Sequence, residues 1–245
     1  MLERADVAQQ LRDVGLRPGD LVFLHVSLRA VGPVDGGADG LIDALQDVVG
    51  PAGGLVMVLG SPEGVAFDPA TTPVDPEMGV LAEVFRTRPD VRVGRHPASR
   101  LAAWGAAVPP LHPEPWHDYY GPGSPLQRFT EAGVRVLRLG ADADTVTLTH
   151  WAEYVVDLPE KARVARTYVL AGGSEHLISS LDDSDGIAQW ADGDYFAQVL
   201  LDFVAAGRAR AGRVGGARAE LLDGPEFVDF AVDWMRRHLG SGPGV

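Results

Sequence analysis

Hydrophobic residues recur along the chain with two spacings, one typical of helices and one typical of buried strands. Apolar positions three or four apart, together with a Ser-Pro start at residue 124, predict helices at residues 2–14, 38–49, 79–87, 124–132, 145–156, 194–205 and 225–238. Short apolar runs predict strands at residues 21–26, 55–59, 91–93, 101–104, 134–139, 167–170 and 218–222. Helices and strands that alternate in this way predict an α/β layered fold.

Two long proline-rich segments, residues 60–78 and 108–123, interrupt this alternation. Loops of that length inside a compact domain usually carry function. The length of 245 residues and the lack of a clear linker predict one domain, residues 1–245. Neither an apolar run long enough to cross a bilayer nor a signal-peptide pattern is evident, so we expect a soluble cytoplasmic protein.

Composition narrows the function classes. The chain has 34 Asp+Glu against 21 Lys+Arg, a formal net charge of −13. Binding to nucleic acid or to an anionic membrane surface depends on Lys and Arg, so this excess argues against both partners. The hydrophobic content of 46% excludes a disordered chain. The absence of Cys excludes disulfides, thiolate metal ligands and a cysteine nucleophile.

The acidic excess is concentrated in one part of the chain. Residues 141–200 hold 11 acidic and 3 basic residues, including Asp182, Asp183 and Asp185. One interpretation is a solvated acidic face that keeps the protein in solution. The other is an anionic cleft for a polycationic small molecule, since opposite charge would steer and hold such a ligand. Composition leaves both open.

Most common site motifs are missing. The chain contains no P-loop, no Gly-x-Gly-x-x-Gly turn after a strand and no Gly-x-Ser-x-Gly elbow. His150 and Glu153 are three residues apart on a predicted helix, a spacing that suits two ligands of one metal ion. Because a third ligand is lacking nearby, we expect no metal site. Ser27, at the end of the first predicted strand, is a candidate to hold a pyrophosphate with nearby backbone N–H groups.

Four segments occur in a fixed order along the chain. They read Leu-His-Val-Ser-Leu at residues 24–28, Phe-Asp-Pro-Ala-Thr-Thr-Pro at 67–73, Gly-Ser-Pro-Leu at 123–126 and Thr-Leu-Thr-His-Trp-Ala-Glu at 147–153. This series resembles the aminoglycoside 3-N-acetyltransferase family, and the resemblance runs from about residue 6 to residue 239. It implies a single α/β/α domain with a mixed central sheet, helices on both faces, and acetyl-CoA as the acetyl donor.

The same resemblance implies roles for individual residues. The residues expected to bind the coenzyme are His25, Val26, Ser27, Leu28, Gly123, Ser124 and Leu126. The general base is expected at His150, with Asp182 as its acidic partner, or Asp183 if the gap differs by one residue. The helical spacing, rather than the resemblance, adds Thr147: it lies one turn before His150 on the same face, so its hydroxyl is expected to support the oxyanion. The acidic residues expected to bind the substrate's ammonium groups are Glu63, Asp68, Glu153, Asp183 and Asp185.

The chain also departs from the family pattern. Residues 98–101 read Ala-Ser-Arg-Leu where the family usually has an aromatic-containing run, so Arg100 is expected to reach a coenzyme phosphate instead. Val146 replaces a usual Asn, and Asp replaces Glu as the expected partner of the histidine. These differences leave open a related enzyme that acetylates another amine, or an acidic protein that only binds cations. His150 could also be an ordinary core histidine, and the state could be a monomer or a homodimer.

The residue types favour acetyl transfer by direct attack. An amine that is protonated near neutrality must lose a proton as it attacks, and His, with an ordinary pKa of ~6.5, suits that role. A neighbouring carboxylate would orient the imidazole and stabilise its charged form. Since the chain has no cysteine, transfer within a ternary complex is favoured over an acyl-enzyme.

Overall fold

The structure, a computed structural model, describes residues 1–62 and 64–240. Its helices are α1 (Arg4–Val14), α2 (Leu28–Val31), α3 (Gly37–Val49), α4 (Gly79–Arg86), α5 (Pro125–Glu131), α6 (Leu148–Val155), α7 (Tyr195–Ala205) and α8 (Gly224–His238). Its strands are β1 (Leu21–Val26), β2 (Gly54–Val58), β3 (Arg92–Val93), β4 (Leu101–Gly105), β5 (Arg135–Leu139), β6 (Arg163–Val169), β7 (Glu175–Leu181), β8 (Arg210–Val214) and β9 (Ala217–Asp223).

Seven strands form a mixed sheet in the order β3-β4-β2-β1-β5-β9-β8. Strand β1 runs parallel to both β2 and β5, whereas the outer pairs are antiparallel. The chain leaves β1 toward β2 on one side and returns later as β5 on the other. The carboxyl ends of these three strands therefore meet at a switch point, the usual place for a ligand crevice in an open α/β sheet.

Alternation along the strands builds a core on each face of the sheet. On β1, Phe23 packs into one hydrophobic cluster with residues of α5, α6, α7 and α8, while Val22 and Leu24 pack into a second cluster with α1, α3 and α4. Successive side chains of a strand point to opposite faces, so a fully apolar strand feeds both clusters. The expected α/β fold, with a mixed central sheet and helices on both faces, is confirmed.

A second, two-stranded sheet consists of the antiparallel hairpin β6–β7. Two loops attach it to the rest of the chain. The backbone of Phe67 exchanges hydrogen bonds with Val169 and Ala171, and Asp118 N–H donates to the Ser179 carbonyl at 2.9 Å. Phe67 and Asp118 lie in the two long loops predicted from the sequence. These loops therefore connect the hairpin to the seven-stranded sheet.

Most predicted elements are found, but three strands and one helix differ. Strands β7 and β8 were not predicted, and β6 is longer than the predicted 167–170. The reason is that β6 exposes every second side chain and β8 exposes three of its five, so these strands carry polar residues rather than an apolar run. Helix α2 has only four residues, too few for a periodic pattern. Among the described residues, no helix is both long and apolar enough to cross a membrane. Glu63 and residues 241–245 of the expected domain lie outside the described residues.

Candidate active site

A cavity of about 980 Å³ opens at the carboxyl ends of β1, β2 and β5, and we call it the strand-end cavity. Its walls come from the end of β1 with α2, from the end of β2, from the start of α4 and from the turn that follows β5. The lining residues are Leu24–Ala30, Met57, Val58, Pro76–Leu81, Gly140–Asp142, Asp144 and Thr145. The volume lies at the upper end of the range for ligand pockets, which suits an extended ligand such as a coenzyme.

The predicted segment from His25 to Leu28 lies in the wall of this cavity. The Ser27 side chain caps α2 by accepting a hydrogen bond from Ala30 N–H at 3.3 Å. Gly140, at φ 62°, faces this turn so closely that an added Cβ would lie 2.3 Å from the Ala30 Cβ. A glycine is therefore required where the β5 turn meets α2.

His25 is a neutral residue of the cavity wall. Its ring stacks on Phe23 with centroids 5.2 Å apart, and Thr147 N–H points to its Nε2 at 3.5 Å. Burial, together with the nearby Arg138 cation, lowers the pKa of His25 to about 3. The imidazole is thus uncharged near neutral pH and touches the residue that precedes α6. The contact joins the strand-end cavity to the helix that carries His150.

The second predicted coenzyme segment lies elsewhere. Ser124 is fully buried and its hydroxyl accepts a hydrogen bond from Gln127 N–H at 3.3 Å, while Gly123 N–H donates to the Gln127 side chain at 2.7 Å. Leu126 is fully buried in the core. These groups start and anchor α5, and none of the three is among the described residues that line the strand-end cavity. The expectation that they contact the coenzyme stays a prediction.

Arg100 does not reach a phosphate site. Its side chain is fully buried, donates to the carbonyls of Pro73 and Pro69 at 3.0 and 3.1 Å, and lies over the Phe67 ring. Burial lowers the pKa of the guanidinium. Through these two bonds the residue holds the loop 67–73 beside β4.

The best-defined polar pair in the site is His150 and Glu153 on α6. Nδ1 of His150 lies 2.9 Å from Oε2 of Glu153, whose side chain is 1% exposed. Burial disfavours the imidazolium, but the hydrogen bond and charge of Glu153 outweigh it, so the pKa of His150 is raised above its ordinary value. Because a carboxylate only accepts, Nδ1 carries the proton of the neutral ring, and Nε2 then has a lone pair that can accept one.

Both oxygens of Glu153 are engaged within the protein. Oε2 receives the His150 bond, and Oε1 receives a hydrogen bond from the hydroxyl of Tyr195 at the start of α7. Glu153 was expected to bind substrate, and the structure corrects this: the carboxylate faces the histidine and the tyrosine instead. The spacing of three residues noted in the sequence thus places the two side chains in contact on one helix.

Asp182 is not the partner of His150. Its Oδ1 accepts hydrogen bonds from the backbone N–H groups of Ser184 and Asp185 at 2.9 and 3.1 Å. This is a local Asx turn, in which a short carboxylate orders the chain that follows it. The turn shapes residues 182–185, which we call the acidic segment.

Asp183, the other partner considered, lies near the histidine without bonding to it. Its carboxylate accepts from the Tyr119 hydroxyl and from Arg166, both at 2.6 Å. Its negative charge contributes to the raised pKa of His150. Arg166 also donates to Ser184, at 2.6 Å. The acidic segment is thus tied to the β6–β7 hairpin by a cation that the sequence analysis did not single out.

The remaining predicted site residues make few contacts with the other predicted site residues. Asp68 Oδ1 accepts from Ala70 N–H at 2.7 Å and so orders its own loop. Asp185 is exposed at the end of the acidic segment. Thr147 is half-buried immediately before α6, with its backbone N–H toward His25. Glu63 lies outside the described residues, so its predicted role stays a prediction.

Aromatic rings surround the histidine. Tyr120 stacks on His150 with centroids 4.9 Å apart and 7° between the planes, and Phe196 contacts the ring at 5.1 Å. Neither was predicted from the sequence. Tyr120 lies in the loop 108–123, which was expected to carry function because of its length. Phe196 lies 46 positions from His150 on a different helix.

A buried histidine organises the same loop. His96 Nδ1 accepts from the backbone N–H groups of Ala98 and Ser99, both at 3.1 Å, and its Nε2–H donates to the Trp116 carbonyl at 2.9 Å. Burial lowers the pKa of His96 to about 4. Nearby, burial raises the pKa of Glu114 to about 7. His96 therefore joins the residues before β4 to the loop that supplies Tyr120.

Comparisons with known proteins show which family this chain resembles in sequence and structure. The model of the aminoglycoside 3-N-acetyltransferase family matches residues 23–236. Aminoglycoside N(3)-acetyltransferase VII of Streptomyces paromomycinus is 36% identical, over 98% of this chain and 94% of that protein. The structure of AAC-IIIb in binary complex with CoASH superposes with a TM-score of 0.89 at 31% identity, over 99% of each chain. That of AAC-VIa bound to sisomicin gives a TM-score of 0.87 at 33% identity, over 96% of this chain and 98% of the other.

The family match covers both the strand-end cavity and the His150–Glu153 pair, and its members are acetyltransferases that use acetyl-CoA as donor. By this match and by its similarity to relatives over nearly their whole length, the chain belongs to the aminoglycoside 3-N-acetyltransferase family.

Proposed function

We propose that this protein transfers the acetyl group of acetyl-CoA to the 3-amino group of an aminoglycoside, with His150 as the general base. One observation carries the proposal: Nδ1 of the His150 imidazole is 2.9 Å from a buried carboxylate oxygen, so in the neutral ring Nε2 is the nitrogen that can accept a proton. It stands one helical turn after Thr147, which touches the wall of the strand-end cavity through His25. The helix that carries His150 is thus connected, through Thr147 and His25, to a cavity large enough for a coenzyme.

The proposed reaction is a direct transfer. The amine nitrogen attacks the thioester carbonyl carbon, a C–N bond forms, the C–S bond breaks, and coenzyme A leaves as the thiol. Nε2 of His150 takes the proton that the amine loses, and Glu153 stabilises the imidazolium that results. The proton then passes to the departing sulfur. General-base help of this kind is worth roughly 10²–10⁴ in rate.

The strand-end cavity is the proposed coenzyme site. Residues 25–28 and the turn at Gly140 form its walls, and the exposed side chain of Arg29 lies at its lining. A guanidinium is a suitable partner for a coenzyme phosphate. The neutral ring of His25 offers an uncharged surface for the pantetheine chain, since burial keeps it unprotonated.

The acidic segment is the proposed partner of the acceptor's ammonium groups. Asp185 is exposed, and Asp183 lies close enough to raise the pKa of His150. A polycationic acceptor would exchange hydration for the exposed carboxylate of Asp185, whereas Asp183, already bonded to Tyr119 and Arg166, contributes its charge nearby. An approach from this side would bring an amine toward the histidine. Attraction between exposed charges weakens with salt, so acceptor binding should be the salt-sensitive step.

The test is thiol release from acetyl-CoA with a panel of aminoglycosides, followed by NMR of the product to locate the acetylated nitrogen. We expect turnover with at least one aminoglycoside, modification at N3, and a loss of at least about 100-fold in kcat for His150→Gln. Acetyl-CoA affinity should stay within a few-fold in that variant. Thiol release with other amines but with no aminoglycoside would show that the acceptor is a different amine. No release with any amine would overturn the proposal.

A further inference from the structure

Tyr195 is linked to the proposed base through Glu153. Its hydroxyl donates to Oε1 of Glu153, and the backbone N–H of Ile187 donates to the hydroxyl oxygen at 2.9 Å. The side chain begins α7 and is 3% exposed. Forty-two positions separate Tyr195 from Glu153. The contact therefore depends on the tertiary fold, which brings the start of α7 beside α6.

The direction of the hydrogen bonds is fixed. Ile187 N–H can only donate, so it uses a lone pair of the hydroxyl oxygen, and the hydroxyl proton points to the carboxylate. Burial and the charge of Glu153 raise the pKa of Tyr195 above its ordinary value, so the phenol stays a donor at every working pH. A continuous chain of bonds runs from Ile187 through Tyr195 and Glu153 to His150.

We propose that Tyr195 is a positioning residue for the acetyl transfer, which holds Glu153 so that one carboxylate oxygen faces Nδ1 of His150. The inference rests on the proposed function, because it assigns Tyr195 a part in the action of that base. Without the phenol, Oε1 is a buried acceptor with no donor, and the carboxylate is free to turn away from the imidazole.

The surroundings of Tyr195 also connect it to the acidic segment. Gly186 follows this segment directly and has φ 80°, and a Cβ added there would lie 2.4 Å from the Tyr195 hydroxyl. Only glycine lets the backbone approach the phenol so closely. The chain that carries the proposed acceptor carboxylates therefore rests on the same hydroxyl that holds the carboxylate of the base. Tyr195 lies where these two parts of the site meet.

The chain offers a matched control. Tyr154 has the same arrangement, since its hydroxyl donates to Asp118 at 2.9 Å and accepts from Leu181 N–H at 3.0 Å. The carboxylate it holds does not bond to His150. Tyr195→Phe and Tyr154→Phe therefore each remove a hydroxyl placed between a backbone donor and a carboxylate, and only the carboxylate held by Tyr195 bonds to His150.

For Tyr195→Phe we expect kcat to fall about tenfold, the effect of one lost hydrogen bond to a charged group, with KM for acetyl-CoA within about twofold. Without the hydrogen bond from the phenol, the charge of Glu153 stabilises the imidazolium more strongly. In a plot of kcat against pH, the rise on the acid side should therefore move to higher pH by about half a unit. Tyr154→Phe should leave that rise in place. A Tyr195→Phe enzyme with unchanged kcat and an unmoved rise would overturn the inference.

A double-mutant cycle separates positioning from a purely structural role. If Tyr195 acts through Glu153, then Tyr195→Phe should have almost no further effect on kcat in a Glu153→Gln background. A structural role predicts instead that the two losses multiply. Multiplied losses, in variants whose circular dichroism matches the wild type, would reject the inference.

Two further measurements do not depend on turnover or on the phenylalanine variant folding. NMR titration of the His150 ring, assigned by comparison with His150→Gln, reports its pKa even if no aminoglycoside is acetylated. We expect a higher pKa in Tyr195→Phe than in the wild type. Site-specific 3-fluorotyrosine at position 195 keeps the shape but donates more strongly, and should move the pKa of His150 downward. A pKa unaffected by either change would sink the inference while leaving the proposed function to its own assay.

Discussion

The imidazole of His150 lies parallel to the phenol ring of Tyr120, with 4.9 Å between ring centroids and 7° between ring planes. The ring of Phe196 also contacts the imidazole, with 5.1 Å between ring centroids and 59° between ring planes. Rotation of the imidazole would have to displace one of these rings. Together with the bond to Glu153, the stack fixes which nitrogen is protonated and which is free before any ligand arrives, the preorganisation that favours fast proton transfer.

The partner of the base can be tested by comparing two carboxylates. Glu153→Gln keeps the size of the side chain but removes the charge that stabilises the imidazolium, so kcat should fall about 10–100-fold. Asp182→Asn preserves the oxygen that accepts from Ser184 and Asp185, so kcat should stay within about twofold. Steady-state rates at saturating acetyl-CoA decide between them. The reverse order of effects would restore Asp182 as the partner.

The pH dependence of the rate should follow the same pair. His150 must be neutral at Nε2 to accept a proton, so kcat should rise with pH through the pKa of His150. Glu153 raises that pKa against the opposing effect of burial, and the midpoint should lie above the ordinary value of about 6.5. In Glu153→Gln, burial acts without the carboxylate, so the midpoint should move downward. A midpoint that stays in place in the variant would contradict this account.

Acid stability should depend on His96. In the folded protein its pKa is lowered to about 4, whereas the unfolded chain takes up a proton near 6.5. The unfolded state then binds more protons between those values, so the free energy of unfolding falls as pH is lowered through that window and is unaffected above it. The loss due to His96 between pH 7 and pH 5 should be about 2 kcal/mol.

Urea unfolding at the two pH values measures this loss. In His96→Asn the amide oxygen can still accept from Ala98 and Ser99, but the group no longer titrates, so the pH-dependent loss should be smaller by that amount. His25 titrates in the same direction in both proteins and cancels in the comparison. Equal losses in the wild type and the variant would show that His96 is not the group responsible.

The role of Arg100 can be tested by asking whether its removal weakens coenzyme binding or only stability. Arg100→Met removes the bonds to the carbonyls of Pro69 and Pro73 and should lower the free energy of unfolding by about 1–3 kcal/mol. Calorimetric titration with acetyl-CoA should give a dissociation constant within about twofold of the wild type, with the same salt dependence. A tenfold weaker complex with a flatter salt dependence would place a phosphate beside Arg100 after all.

The sequence predicted the framework well because the inner strands leave few alternatives. A run such as residues 21–26 can only be buried on both sides, and the intervening helices then have to cover both faces of one sheet. Strand β8 was missed because it lies at the edge of the sheet and carries Arg210 and Arg213 toward solvent. Its pairing with β9 depends on backbone groups rather than on an apolar pattern.

The site was only partly predictable, for a related reason. His150 was found through its segment, but the sequence could not show which carboxylate meets its ring. That choice depends on side-chain directions on α6, which bring Glu153 to Nδ1, and on the local turn that engages Asp182. Tyr195 and Phe196 left no sequence signal, because their contacts arise where the tertiary fold brings the start of α7 beside α6. The burial of Arg100 depended equally on carbonyls of a distant loop.

The β6–β7 hairpin shares no strand with the seven-stranded sheet among the described residues. The acidic segment follows its last strand, whereas the strand-end cavity is built by the sheet itself. Changes in the hairpin and its attachment at Asp118 can therefore alter the surface proposed to bind the acceptor while the residues proposed to bind the donor stay as they are. Such a division gives natural selection a way to diversify the amines accepted within a lineage without re-evolving the thioester half of the enzyme.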